Sequence, residues 1–182
     1  MKQLLILLVV FLTTGFTTPA KDHSGHKSAQ KSQKIQPLKT TPEADAPITL
    51  AKAMQLASMN HKKVLIDFMA DWCIYCKKMD KEVFPNQKVH AVLNKYFYKV
   101  KINVESKDHV TFQGKTYTKA QFAQAFGVSG LPTYVFMDSK GNFIAGQPGY
   151  IPAPDFARML SYIGSNAYKK MSFKDYSSSS GR

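Results

Sequence analysis

The chain has 182 residues, 44% of them hydrophobic, which suits one domain of about 120 to 130 residues with its own core and excludes a second of that size. Its 25 Lys and Arg against 12 Asp and Glu give a formal charge of +13, a balance that favours acidic partners or serves solubility and weak attraction to an anionic envelope. The basic residues are spread along the chain, so no nucleic-acid module is expected.

Residues 1–20 read as a secretory signal peptide: Lys2 is the positive start, Leu4 to Leu12 an unbroken apolar run, and Thr18-Pro19-Ala20 a small-residue cleavage site. The run covers nine residues, well short of the roughly 20 that a membrane-spanning helix needs, although an uncleaved anchor is the alternative. Neither cysteine lies near it, so a lipoprotein-type anchor is not expected. A periplasmic, soluble, monomeric protein follows. Residues 21–46 are rich in Lys, Ser, Gln, Thr, Pro and His and are expected to be a flexible polar leader. His23 and His26 within it read as solvated.

The folded domain is expected over 47–172. Thr49 is placed to cap a helix through Asn60, with Leu50, Ala53, Met54 and Ala57 on one face. The β-rich run Lys63 to Met69 predicts a central strand leading into Ala70-Asp71-Trp72-Cys73. Tyr75, Cys76, Met79, Val83 and Phe84 recur at helical spacing up to Pro85. A shorter helix over Val89 to Tyr96 and a strand over Phe97 to Val104 come next. Val110 to Thr118 has two β-prone arms around Gln113-Gly114-Lys115, a small hairpin insertion, followed by a helix over Lys119 to Phe126. Thr133 to Met137 and Asn142 to Ala145 predict strands joined by a turn, and Pro154 to Ile163 a closing helix. The tail 173–182 is expected to be disordered, at least from Ser177 on. This order of elements points to an α/β fold with a central mixed sheet flanked by helices.

The chemistry resides in Cys73 and Cys76. A Cys-x-x-Cys pair at a helix start lets the sulfurs approach disulfide distance, while free N–H groups and the helix dipole stabilise a thiolate on the first. Cys73 would attack a substrate disulfide, and Cys76 would resolve the mixed disulfide. Zinc usually needs four ligands, and no second pair exists. A structural disulfide closing so small a loop constrains the unfolded chain little. Cu(I) held by the two thiolates, with help from Met79 or from His23 and His26, is a third alternative.

The run Val64 to Asp80 (VLIDFMADWCIYCKKMD) resembles the active-site strand, turn and helix of thioredoxin-like proteins, and Gly130-Leu131-Pro132-Thr133 resembles their cis-proline loop. The similarity spans roughly residues 47 to 165. Within the family the Ala-Asp-Trp-Cys turn and the Gly-Leu-Pro-Thr loop look most like the C-terminal domain of DsbD. The ending, with Pro148-Gly149-Tyr150, Tyr162, Tyr168, Phe173 and Tyr176, is similar to SoxW-type periplasmic thioredoxins.

The resemblance implies a thioredoxin-like fold and an enzyme, a thiol-disulfide oxidoreductase. It implies a cis Pro132, with the Leu131 backbone free to pair with a substrate strand and Trp72 covering one side of the site. It implies that Asp67 is a buried carboxylate able to take the Cys76 proton, with Asp71 and Asp80 close enough in sequence to influence the thiolates. No cofactor is implied beyond the redox-active cysteine pair. Ile74-Tyr75 stands where plain thioredoxins have Gly-Pro, and Tyr75 supplies no imidazole to stabilise the thiolate as strongly oxidising relatives do. A dithiol reductase of disulfide-containing envelope proteins, regenerated by a DsbD-like membrane electron donor, is the expected function. A disulfide oxidase or isomerase and a Cu(I) metallochaperone are the alternatives. The aromatic ending is expected to be a packed strap rather than a ligand box.

Overall fold

The structure, a computed structural model, describes residues 48–179. The expected signal peptide and leader, with His23 and His26, lie outside the described residues. Helix α1 (Leu50–Asn60) begins where the Thr49 hydroxyl accepts the Lys52 N–H at 3.2 Å and ends at His61 in the left-handed region. Its Leu50, Ala53 and Ala57 are buried. Strand β1 (Lys63–Met69) is buried nearly throughout because it has neighbours on both edges: β2 (Phe97–Asn103) pairs with it in parallel and β5 (Thr133–Met137) antiparallel. The edge strand β6 (Phe143–Pro148) completes the order β2-β1-β5-β6. It runs three residues past the expected end at Ala145, since Tyr134 and Thr133 continue to pair with Gln147 and Pro148.

Alternation along these strands divides the core. Leu65, Tyr134 and Phe136 face helices α3 (Gln87–Tyr96) and α5 (Ala153–Gly164) and pack with Leu93, Phe156, Leu160 and Ile163. Val64, Ile66, Phe68, Val100, Ile102, Val135 and Met137 face the other way, towards α1 and α4 (Lys119–Ala125). Over that second face lies the expected hairpin, β3 (His109–Phe112) with β4 (Lys115–Thr118), a separate two-stranded sheet. Gln113 and Gly114 both take positive φ, 49° and 75°, the backbone that a two-residue hairpin turn requires.

The helix expected between Cys73 and Pro85 is α-helical only over α2 (Ile74–Lys78) and continues as a π-helical turn from Met79 to Val83. Such wider turns concentrate at functional sites, and residue spacing alone does not distinguish them from α-helix. At the other end, the stretch expected to be disordered carries α6 (Phe173–Ser179). Tyr162 anchors it: its ring lies 5.3 Å from those of Phe173 and Tyr176, and its hydroxyl donates to the Met171 carbonyl at 2.7 Å. The aromatic extension is therefore a packed strap. Lys63, buried at the start of β1, donates from Nζ to the Gly164 carbonyl at the end of α5 (3.0 Å). A side chain at Gly164 would meet the Tyr96 ring at 2.6 Å. Among the described residues no helix is long and apolar enough to cross a membrane.

Candidate active site

The active-site turn is built by the end of β1. Cys73 donates its N–H to the Ala70 carbonyl at 3.0 Å, then serves as N-cap of α2, where its sulfur accepts the Cys76 N–H at 3.1 Å. The two sulfurs form a disulfide. A backbone N–H aimed at Sγ of the first cysteine stabilises negative charge there once the bond is reduced, so the polarity of the pair comes from the helix start itself. Both cysteines are 3% exposed and pack against Ala70, Met69, Val104 and Leu131.

The Leu131–Pro132 peptide bond is cis. Thr133 Oγ1 donates to the Gly130 carbonyl at 2.7 Å, and the Pro132 carbonyl accepts the Gly149 N–H at 2.7 Å. Gly149 has φ 89°, a conformation that favours glycine, and the turn there brings Tyr150 to Tyr75, ring centroids 6.1 Å apart. Lys78 Nζ lies 4.6 Å from the centre of the Tyr150 ring, within cation–π range. Around the covered disulfide, Trp72, Ile74 and Tyr75 are exposed apolar side chains. Trp72 is held by its Nε1–H, which donates to Glu105 Oε1 at 2.7 Å. The site thus sets a small covered disulfide within a rim of exposed apolar side chains.

Asp67 is 2% exposed and lies opposite Lys101 of β2 and Tyr134 of β5. Burial pushes its carboxyl up from 3.8 to about 6; Lys99 and Lys101 pull it down and Asp80 pushes it further up. Asp80, in the π-helical turn, is ion-paired with Lys101. The carboxylate noticed in sequence for its nearness to the cysteines therefore acts on the lysine beside Asp67. Asp71 is exposed on the turn. Among the described residues no cluster of three His, Cys, Asp or Glu could hold a metal ion.

Of the residues singled out in sequence, Leu131 packs against the two cysteines and precedes the cis bond to Pro132, and Trp72 stands exposed on the turn directly before Cys73. Glu105, Lys101 and Tyr134 were not anticipated, and Tyr150 appeared only as part of the aromatic ending. Each reaches the site through a strand pairing or loop return that no local pattern announces.

A family model for the thioredoxin-like domain matches residues 50–164. The chain is 30% identical over 161 residues to the thiol:disulfide interchange protein DsbD of Yersinia pestis, a match covering 87% of this chain and 24% of that protein. It is 32% identical over 104 residues to the protein of the same name from Pseudoalteromonas atlantica, covering 56% and 16%. The chain thus spans about a quarter or less of these relatives' length. Among solved structures, a thioredoxin-fold protein from Helicobacter pylori superposes with a TM-score of 0.60 at 23% identity, covering 64% of this chain and 83% of that one. A thioredoxin from Thermus thermophilus gives 0.51 at 24% identity, covering 63% and 83%; both likenesses concern the fold. The fold, the Cys-x-x-Cys turn and the family match agree: the chain belongs to the thioredoxin-like family.

Proposed function

We propose that this redox centre works in the periplasm as a dithiol reductase of disulfides in envelope proteins, and that a membrane electron donor of the DsbD kind returns it to the reduced state. The observation that carries the reading is the Cys73–Cys76 disulfide capped at a helix start among Trp72, Leu131 and cis Pro132. Reduced Cys73 attacks a substrate disulfide, and one substrate sulfur leaves. Cys76 then attacks the Cys73 sulfur of the mixed disulfide, the second substrate sulfur leaves as thiolate, and the protein carries the disulfide. The substrate gains two electrons and the dithiol loses them. The Leu131 backbone offers a substrate segment β-type pairing, and the missing N–H of Pro132 leaves that edge open.

The direction follows from charge. A thiolate stabilised by cations or imidazole favours the reduced enzyme and makes an oxidant; here Tyr75 contributes no imidazole beside the pair. Export is supported by Lys2 and the apolar run Leu4 to Leu12. Outside the cytosol a soluble dithiol needs an external supply of electrons, and similarity to proteins named for thiol:disulfide interchange supports a donor of that type.

Equilibration of the pair with dithiothreitol and glutathione buffers tests direction: a potential near the roughly −270 mV of thioredoxin supports the reductase, whereas one near the roughly −120 mV of DsbA turns the assignment to an oxidase. Cys76→Ala should accumulate mixed disulfides through Cys73 in envelope extracts. A variant that captures nothing there would count against protein disulfides as substrates.

A further inference from the structure

Tyr134 is fully buried in β5, directly opposite Asp67 in the antiparallel register, and its hydroxyl has no hydrogen-bond partner among the described residues. Residues so paired keep their Cβ atoms about 4.5–5.5 Å apart and project to the same face. The ring packs against Phe84, centroids 6.2 Å apart, and Phe156 at 5.1 Å, so apolar contacts surround the body of a side chain whose tip is polar. An unpaired buried hydroxyl of this kind is destabilising, and phenylalanine would fill the space without it. Burial foremost, and then the fields of Asp67 and Asp80, hold the ionisation of the phenol far above its ordinary value. It is thus a hydrogen-bond donor throughout the neutral range. The charged groups facing Asp67 are Lys99 and Lys101 from β2 and Asp80 from the π-helical turn, and Lys101 is engaged with Asp80. The neutral donor across the strand is Tyr134.

We propose that Tyr134 is a positioning residue for the resolving step: its hydroxyl donates a hydrogen bond to the ionised Asp67 carboxylate, directly or through one buried water, and keeps it as the base that takes the Cys76 proton. The proposal rests on the dithiol-exchange reading above. In that step the Cys76 S–H bond breaks and its proton passes to Asp67. The Cys76 thiolate attacks the Cys73 sulfur, the Cys73–Cys76 bond forms, and the substrate sulfur leaves with the electron pair of the broken mixed disulfide. In the oxidised protein the hydroxyl makes no hydrogen bond to a described residue, and the proposal places the contact in the reduced and mixed-disulfide states.

The test uses reduced protein and 5,5′-dithiobis(2-nitrobenzoate). Attack by Cys73 releases one thionitrobenzoate, and resolution by Cys76 releases the second. Tyr134→Phe should leave the first phase unchanged and slow the second on the order of three- to tenfold at pH 6, moving its acidic limb to higher pH, because a carboxylate that loses a donor is harder to ionise. In an Asp67→Asn background the same substitution should have no further effect on the second phase. A Tyr134→Phe protein with an unaltered second phase and limb overturns the proposal, since a purely structural phenol would change stability alone. If that variant does not fold, the reduced wild-type protein decides: the Tyr134 ring-carbon resonance beside the hydroxyl should titrate together with the Asp67 carboxyl, and a flat resonance overturns it. A folded wild-type protein that releases only one equivalent would instead overturn dithiol exchange itself, and the inference with it.

Discussion

The two faces of the sheet are filled in opposite ways. On one, Val64, Ile66 and Phe68 meet Val100, Ile102, Val135 and Met137 beneath α1, α4 and the hairpin, and Phe122 lies within 6.0 Å of the rings of Phe68, Phe112, Tyr117 and Phe126. On the other, the same strands set Asp67, Lys101 and Tyr134 in a row between Leu65, Phe136 and the π-helical turn. Among the described residues the first face consists of hydrocarbon and rings with no buried side-chain polar atom left unpaired. The second keeps a buried carboxylic acid and an unpartnered phenol. Both faces are apolar cores, but only the second sets a carboxylic acid and a phenol within it, and β1 joins the two because its successive residues serve each in turn.

Substitutions that separate stability from exchange would sharpen this comparison. The largest effect is expected at Phe122: replacement by Ala should lower stability by about 3–5 kcal/mol, measured by urea unfolding, with the rate of exchange per folded molecule unaltered. A loss of exchange in molecules that remain folded would break the comparison. Asp67→Asn should act the other way. A carboxyl raised from 3.8 to about 6 binds a proton more tightly in the folded protein, so the wild type loses stability as pH rises from about 4 to about 6 and does not regain it above. At about 1.4 kcal/mol per pH unit the loss amounts to about 3 kcal/mol. The variant should therefore be more stable than wild type at pH 7 by up to about that amount, with the difference vanishing below about pH 4, and its resolving step should be slower by about a hundredfold. A difference independent of pH in unfolding titrations would contradict the assignment of Asp67. The smallest effect is expected at the rim, where Glu105→Ala removes the partner of Trp72. An exposed hydrogen bond of this type contributes about 0.5–1.5 kcal/mol, so KM for a protein disulfide should rise about two- to fivefold with kcat little changed. Trp72 is the only tryptophan, and its fluorescence anisotropy should fall in step.

Much of the apolar face is legible from sequence. The β-rich run Lys63 to Met69, the spacing of Leu50, Ala53 and Ala57, and the Gln113-Gly114 turn are local signals, and each element appears where those signals place it. At the centre of the site the Cys73-x-x-Cys76 pair is legible as a local string, whereas Asp67 and the Gly130 to Thr133 loop are placed by the family resemblance. What surrounds them is not legible. Lys101 meets Asp67 through parallel pairing across a helical crossover, Tyr134 through an antiparallel pairing, and Tyr150 reaches Tyr75 only because Gly149 turns the chain there. The tail is the plainest difference. Its serine-rich composition speaks for disorder, but Tyr162, more than ten residues upstream, supplies the apolar surface on which Phe173 and Tyr176 settle into a helix.

The contact between Lys63 and the Gly164 carbonyl bears on the order of events during synthesis. The partners are 101 residues apart, and the lysine opens the strand on which both faces of the sheet are assembled. An ammonium group in that position is left without its acceptor until the last turn of α5 exists, and the end of α3 cannot close on α5 before Gly164 admits the Tyr96 ring. Long-range contacts of this kind delay folding, because the chain must close a large loop before they stabilise it. A nascent chain stopped short of residue 164 therefore lacks the acceptor of Lys63 and the turn that receives the Tyr96 ring, and this end of the domain closes only when that turn emerges.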